Sequence, residues 1–127
     1  MILEQAKSST AEKLTEIILD LQRDPAIEMV ILSTEDGIPI NTINDKDNKA
    51  AAVAGFMLAA ARQGFAMLNL AGSREIVIRN KQNQLFVSRI FSTCESKLIL
   101  ILLLNEDIPY KRLMNGVTRR IKMTVEN

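Results

Sequence analysis

From Asn48 to Ala71 the chain reads NKAAAVAGFMLAAARQGFAMLNLA, and after Lys49 only Arg62, Gln63 and Asn69 interrupt an apolar or glycine composition. The segment has the length of a long helix. A helix covering one face of a sheet carries a polar back over roughly half its circumference, and this one has almost none. It needs cover on both sides.

At about 100° per residue the segment divides into two unequal faces. Val53, Phe56, Met57, Ala60, Gly64, Met67, Leu68 and Ala71 form a wide apolar face, expected to pack on a β-sheet. The opposite line runs Ala51, Gly55, Leu58, Ala59, Arg62, Ala66, Asn69. It is mostly small, so a second backbone can approach closely at Gly55, Ala59 and Ala66. A second copy of the chain is the expected cover, with Arg62 and Asn69 at a wet rim; burial inside one monomer is the plainer alternative. A bilayer is disfavoured and no membrane insertion is expected: the length suffices, but Arg62 near the centre costs about 2.5 to 3.5 kcal/mol.

With 127 residues the chain is expected to be one domain, residues 1–127, and no linker, repeat or low-complexity segment divides it. A net charge of +1 creates no global field for nucleic acid, and 4% aromatic residues without Trp leave little for base stacking, so no nucleic-acid partner is expected. Histidine is absent, which removes the commonest general base and metal ligand. The lone Cys94 closes no internal disulfide and joins no thiolate cluster. Neither cofactor nor metal is therefore expected. The opening MILEQAKSST lacks the basic flank and apolar run of a signal peptide, so a cytoplasmic protein is expected.

Along the chain, Ser9-Thr10-Ala11-Glu12 reads as a capping box before an amphipathic helix with Leu14, Ile17, Ile18 and Leu21 on one side. That helix should stop ahead of Asp24-Pro25. Glu28 to Thr34 reads as a strand, Glu35-Asp36-Gly37 as a turn, and Gly37 to Ile43 as a returning edge strand, since Pro39 has no amide hydrogen. Asp45 to Asn48 suits the start of the long helix, and Gly72 its left-handed cap. Three further strands follow at Glu75–Asn80, Leu85–Phe91 and Lys97–Leu104. The last, KLILILLL, lacks polar alternation and must be central. Asn105 to Asp107 should cap a final helix with Pro109 in its first turn, burying Tyr110, Leu113, Met114, Val117 and Ile121 and exposing Lys111, Arg112, Arg119, Arg120 and Lys122.

The expected fold is α/β of the α+β kind, in the order α-β-β-α-β-β-β-α, with helices on both faces of a five-stranded antiparallel sheet. Numbering the strands along the chain, the spatial order 2-1-5-4-3 places the apolar fifth strand in the middle and the third, Glu75-Ile76-Val77-Ile78-Arg79, at an edge. Paired antiparallel with its own copy about Val77, that edge would set Glu75 opposite Arg79 and Ile76 opposite Ile78. Such charge pairs contribute roughly 0.2 to 1 kcal/mol each and select register. The expected dimer interface is thus Ala51, Gly55, Leu58, Ala59, Arg62 and Ala66 with residues Glu75 to Arg79. A charged edge that merely resists pairing is the alternative.

The element order, the hairpin STEDGIPINT at Ser33 to Thr42, the alanine-rich helix ending at Leu70-Ala71-Gly72, and the segments EIVIRN and QLFVSRIF together resemble the Roadblock/dynein-light-chain family, related to longin and profilin-like folds. The resemblance covers nearly the whole chain. It implies a homodimer or heterodimer joined through the long helix and the third strand. It also implies a regulator or platform for small Ras-like GTPases, as in bacterial polarity proteins that promote GTP hydrolysis, or a dynein light chain.

The chain lacks the glycine-rich phosphate loop that ends in Gly-Lys-Ser/Thr, so it should not itself act as a GTPase. Glu35 and Asp36 read as solvated turn acids, and Cys94 has no histidine to activate it, so no catalytic residue is assigned. Arg62 has two readings, a structural hydrogen-bond donor or an arginine inserted into a partner GTPase. The expected function is a homodimeric, non-enzymatic scaffold that binds a small Ras-like GTPase near Arg62, Gln63 and Asn69 and modulates its GTP hydrolysis or placement. The alternatives are a small-ligand sensor of the longin or profilin-like kind and a light-chain scaffold for a larger complex.

Overall fold

The computed structural model describes residues 2–40, 44–106 and 108–126, with side chains from residue 10 onward. Among these, three helices and four strands follow in the order α1 (Ile2–Gln22), β1 (Ile27–Thr34), α2 (Asp45–Met67), β2 (Glu75–Arg79), β3 (Leu85–Ser92), β4 (Lys97–Leu104) and α3 (Tyr110–Glu126). The sheet is antiparallel with order β1-β4-β3-β2. The apolar β4 lies between β1 and β3, and its residues from Leu98 to Leu102 are all buried. A strand with apolar side chains on both pleats is stable only where both faces are covered.

Among the described residues the sheet has four strands, so the expected five strands in the order 2-1-5-4-3 are not confirmed. Of the expected second strand, Pro39 makes a single bridge to Ser33, flanked by Thr34 N–H to Ile38 O (2.9 Å) and Ile40 N–H to Leu32 O (2.8 Å). Pro39 contributes no donor, which limits the ladder over the described part of the return arm. Residues 41–43 of that expected strand, and Asp107 of the expected cap, lie outside the described residues. Helix α1 begins at Ile2, so Ser9-Thr10 lies inside it rather than capping it.

Alternating side chains divide the core into two layers. On one side α1 and α3 cover Val30, Leu32, Val87, Leu100 and Leu102 with Leu14, Ile17, Met114, Val117 and Ile121. On the other, α2 covers Met29, Ile31, Ile99 and Ile101 with Ala51, Ala54 and Leu58. Large residues on the sheet thus meet small ones on the helix, which brings α2 close to the sheet and to the Glu35-Asp36-Gly37 turn. A Cβ on Gly55 would lie 3.2 Å from Gly37 Cα, and a Cβ on Gly37 would lie 2.9 Å from Ala51 O. Gly37 also has φ +84°, a left-handed conformation that other residues adopt only with strain.

This packing reverses the expected orientation of α2. The line placed toward a second copy faces the sheet at Ala51 and Leu58, with Gly55 and Ala59 half-buried. The broad face placed on the sheet points outward at Val53, Phe56, Met67 and Leu68. Both faces are apolar, so hydrophobicity does not choose between them. Volume does, because the sheet beneath is already filled by isoleucine, leucine and methionine side chains.

The ends of α2 are also specified locally. Asn44 caps the start, its side-chain oxygen accepting from Asp47 N–H at 2.8 Å. At the other end Asn69, with φ 58°, takes the left-handed position assigned to Gly72. Asn69 N–H donates to Ala66 O (3.1 Å) and Leu70 N–H to Phe65 O (2.8 Å), the paired bonds that close a helix C-terminus.

A polar clamp joins β2 to α3. Arg89 on β3 donates to the Glu75 carboxylate through Nε (2.9 Å) and Nη2 (2.7 Å), and through Nη1 to Asn115 Oδ1 (2.5 Å). The Arg89 and Glu75 side chains are only 13% and 20% exposed. Glu75 is thus engaged by Arg89 within its own chain, a contact that the expectation of Glu75 opposite Arg79 of a second copy did not include.

Two substitutions test these contacts by denaturant melts. Gly37→Ala adds a Cβ against Ala51 O at a strained φ and should destabilise by about 1 to 3 kcal/mol. Glu75→Ala strands the Arg89 guanidinium between two layers and should destabilise by about 2 kcal/mol, whereas an unchanged midpoint would mean that solvent already satisfies Arg89.

Candidate functional site

The outer face of α2 combines with the adjacent edge of the sheet. Val53, Phe56, Phe65, Met67, Leu68 and Leu70 are exposed on and just beyond the helix, Phe56 at 75% and Met67 at 84%. Every residue from Arg62 to Gly72 is exposed, so the last turns of the helix carry apolar side chains that nothing among the described residues covers. Beside them, β2 pairs with β3 on one side only and forms the outermost strand among the described residues. Val77 and Ile78 are exposed, whereas Glu75 and Ile76 are half-buried. By length and composition alone α2 is long and apolar enough to cross a bilayer, and only 17% of its most apolar window is buried within the chain. The surface is therefore a broad apolar patch next to an unpaired strand edge, a combination that invites another polypeptide.

The residues singled out from sequence fall into three groups. Ala51 and Leu58 are buried against the sheet, with Gly55 and Ala59 half-buried beside them, so this part of the expected interface is already occupied within one chain. Ala66, Val77, Ile78 and Arg79 remain exposed, while Glu75 is held by Arg89 and Ile76 packs beneath α2. Arg62 and Gln63 are exposed, and Asn69 is exposed while closing the helix end. Sequence reading placed Val53, Phe56, Met67 and Leu68 on the wrong side and passed over Phe65 and Leu70. The pairing of Gly37 with Gly55 was the available signal, since two glycines at a contact mark where a helix approaches most closely.

The residues with catalytic or metal-binding chemistry lie apart from one another. Among the described residues no cluster of three His, Cys, Asp or Glu side chains could hold a metal ion. Cys94 is exposed in the β3–β4 turn. The Ser88 hydroxyl is buried without a hydrogen-bond partner, but no histidine exists to activate it. The cavity beneath α2, lined by Glu35, Gly55, Leu58, Ala59, Arg62, Ser73, Ile90 and Ile99, has a volume of about 40 Å³. That admits a water molecule or two, which weighs against a small molecule held at this point beneath α2; a larger cavity of about 200 Å³ lies between α1 and β1, lined by Ile18, Leu19, Val30 and Leu32.

Comparison with known proteins gives the same fold. The model of the Roadblock/LC7 domain matches residues 13–103. No curated protein matches the chain by sequence. Among solved structures, Myxococcus xanthus MglB superposes with a TM-score of 0.71 at 15% identity, over 90% of this chain and 95% of that one. The gliding protein MglB from Thermus thermophilus gives 0.68 at 14% identity, covering 93% of this chain and 89% of that one. A structure described as MglB with tetrameric arrangement gives 0.70 at 14% identity, over 91% and 88% of the two chains. At such identities the superpositions speak for fold alone, but the matched segment covers far more than half of the 127 residues, from within α1 to the end of β4: the chain belongs to the Roadblock/LC7 domain family.

Proposed function

We propose that this chain is a dimeric, non-enzymatic regulatory module on which a small Ras-like GTPase docks. Two copies join through the outer face of α2 and the edge of β2. The paired helices, with Arg62 and Gln63 at their rim, form the docking platform. One observation carries the reading: Phe56, Phe65, Met67 and Leu68 are exposed beside β2, the outermost strand among the described residues. Apolar burial contributes about 25 cal/mol per Å², so a face of this kind gains most from a partner as apolar as itself, and a second copy supplies one.

Membership of the Roadblock/LC7 family supports a regulatory role, and the tetrameric arrangement of one MglB neighbour supports self-association. A bilayer is the other apolar medium, but α2 is pinned to the sheet by buried Ala51, Ala54 and Leu58 and by the Gly37–Gly55 contact. It could enter a membrane only by abandoning that half of the core. Modulation of GTP hydrolysis proceeds by ordering the partner's own catalytic groups or by fixing its position. Arg62 acts as a surface donor at the rim, and Asn69 serves the helix end.

Light scattering should give twice the chain mass of 14.2 kDa. Phe56→Glu with Met67→Glu should yield a folded particle of single mass, since both side chains point away from the core. A monomeric wild type at micromolar concentration would refute the dimer. GTP turnover by a candidate GTPase should change when the protein is added. Arg62→Ala should reduce that change by about tenfold or less, against the roughly 10³ to 10⁵ lost when an inserted arginine is removed. Absence of both binding and altered turnover in either nucleotide state would remove the GTPase from the proposal while leaving the dimer.

A further inference from the structure

At one end of the sheet, where β3 runs out beyond Ile90 and β4 begins, all three layers contribute a cation to one cleft. Arg62 comes from α2, Arg74 from the segment entering β2, Lys97 from the first residue of β4, and Lys122 from α3. The cleft has a volume of about 450 Å³, and no carboxylate lines it. Its geometry is fixed by the fold. Arg74 O accepts from Ile90 N–H at 2.9 Å, extending the ladder one residue past β2, and the Arg62 side chain lies over Gly72. Lys97 approaches Glu35 at 4.0 Å, across a surface where both side chains are largely solvated. Among the described residues no salt bridge joins Arg62, Arg74 or Lys122 to an acid.

Four like charges gathered around one space repel one another. A chain with 16 basic and 15 acidic residues has acids enough to neutralise them, yet none lines this cleft. Such a cluster reaches its lowest free energy with an anion inside it. A chloride ion would leave most of the charge unbalanced. A phosphoryl group presents several oxygens to planar guanidinium donors and to lysine point charges at once, and the Ser92 hydroxyl adds a neutral donor. The volume lies within the range of small-ligand clefts, roughly 300 to 1,000 Å³.

We propose that this cleft binds a phosphate-bearing anion of two or more negative charges, carried either on a free polyphosphorylated molecule or on a lipid headgroup. The site requires neither a second copy nor a GTPase, and Arg74 and Lys122 lie outside the docking platform proposed above.

The test follows the amide NMR spectrum of the full chain during titration with inorganic pyrophosphate. Saturable shifts should centre on Arg74, Ser92 and Lys122. Arg74→Glu with Lys122→Glu should weaken binding at least about tenfold, since two charge-assisted contacts become repulsive. Lys46→Glu at the start of α2 with Lys81→Glu in the β2–β3 turn imposes the same change in net charge away from the cleft and should alter affinity no more than about twofold, with circular dichroism confirming that both variants fold. A parallel arm sediments the protein with phosphatidylcholine vesicles containing phosphatidylinositol 4-phosphate, whose headgroup carries at least two negative charges. Vesicle binding displaced by pyrophosphate supports the site and identifies a lipid headgroup; pyrophosphate binding without vesicle binding supports it and identifies a free ligand. Three results overturn it: no saturable pyrophosphate binding, equal losses from both charge-reversal pairs, or polyglutamate binding the same residues as tightly as pyrophosphate.

Discussion

The fold turns on how closely α2 approaches the sheet. Gly37 and Gly55 meet where any side chain would collide with backbone, and Ala51, Ala54 and Leu58 settle onto a sheet face crowded with large side chains. Because small residues fill that contact, the bulky ones on the same helix have nowhere to go but outward. The exposed apolar face is therefore a consequence of the internal packing. The features that bury one side of α2 are the same ones that leave the other side open.

The two sides of the sheet are built by different means. The α1 and α3 side is closed by leucine, isoleucine, valine and methionine from both helices, and Thr118 turns its hydroxyl to Met114 O at 2.8 Å, so a buried polar group is satisfied within its own helix. The α2 side is thinner, and its helix overhangs the sheet beyond Ala61. One face thus resembles a finished globular core. The other resembles half of one.

Strand and helix limits were largely readable from sequence because they are local. KLILILLL occupies Lys97–Leu104 as an interior strand, and Asp24-Pro25 follows the end of α1 as the residue before proline requires. What escaped depends on long-range contact. Which face of α2 meets the sheet is decided by volumes contributed from Met29, Ile31, Ile99 and Ile101, distant in the chain. Gly72 was the better left-handed residue by propensity, yet Asn69 takes that role because the helix ends earlier, its carbonyls closed by Asn69 and Leu70. Glu75 looked available to a second copy because nothing near it in sequence shows that Arg89 lies opposite. Among the described residues the expected second strand makes one bridge, at Pro39, whose missing amide limits the ladder there.

The Arg89 clamp bears on β2 in a further way. An outermost strand five residues long, left to itself, would fray, and any chain adding to it would first have to straighten it at a loss of backbone freedom. Here the first residue of that strand is tied through Arg89 to Asn115 on the opposite layer, so the edge is held extended before anything arrives. Recognition at such an edge begins from a preorganised template, and the entropic penalty of ordering it has already been met during folding.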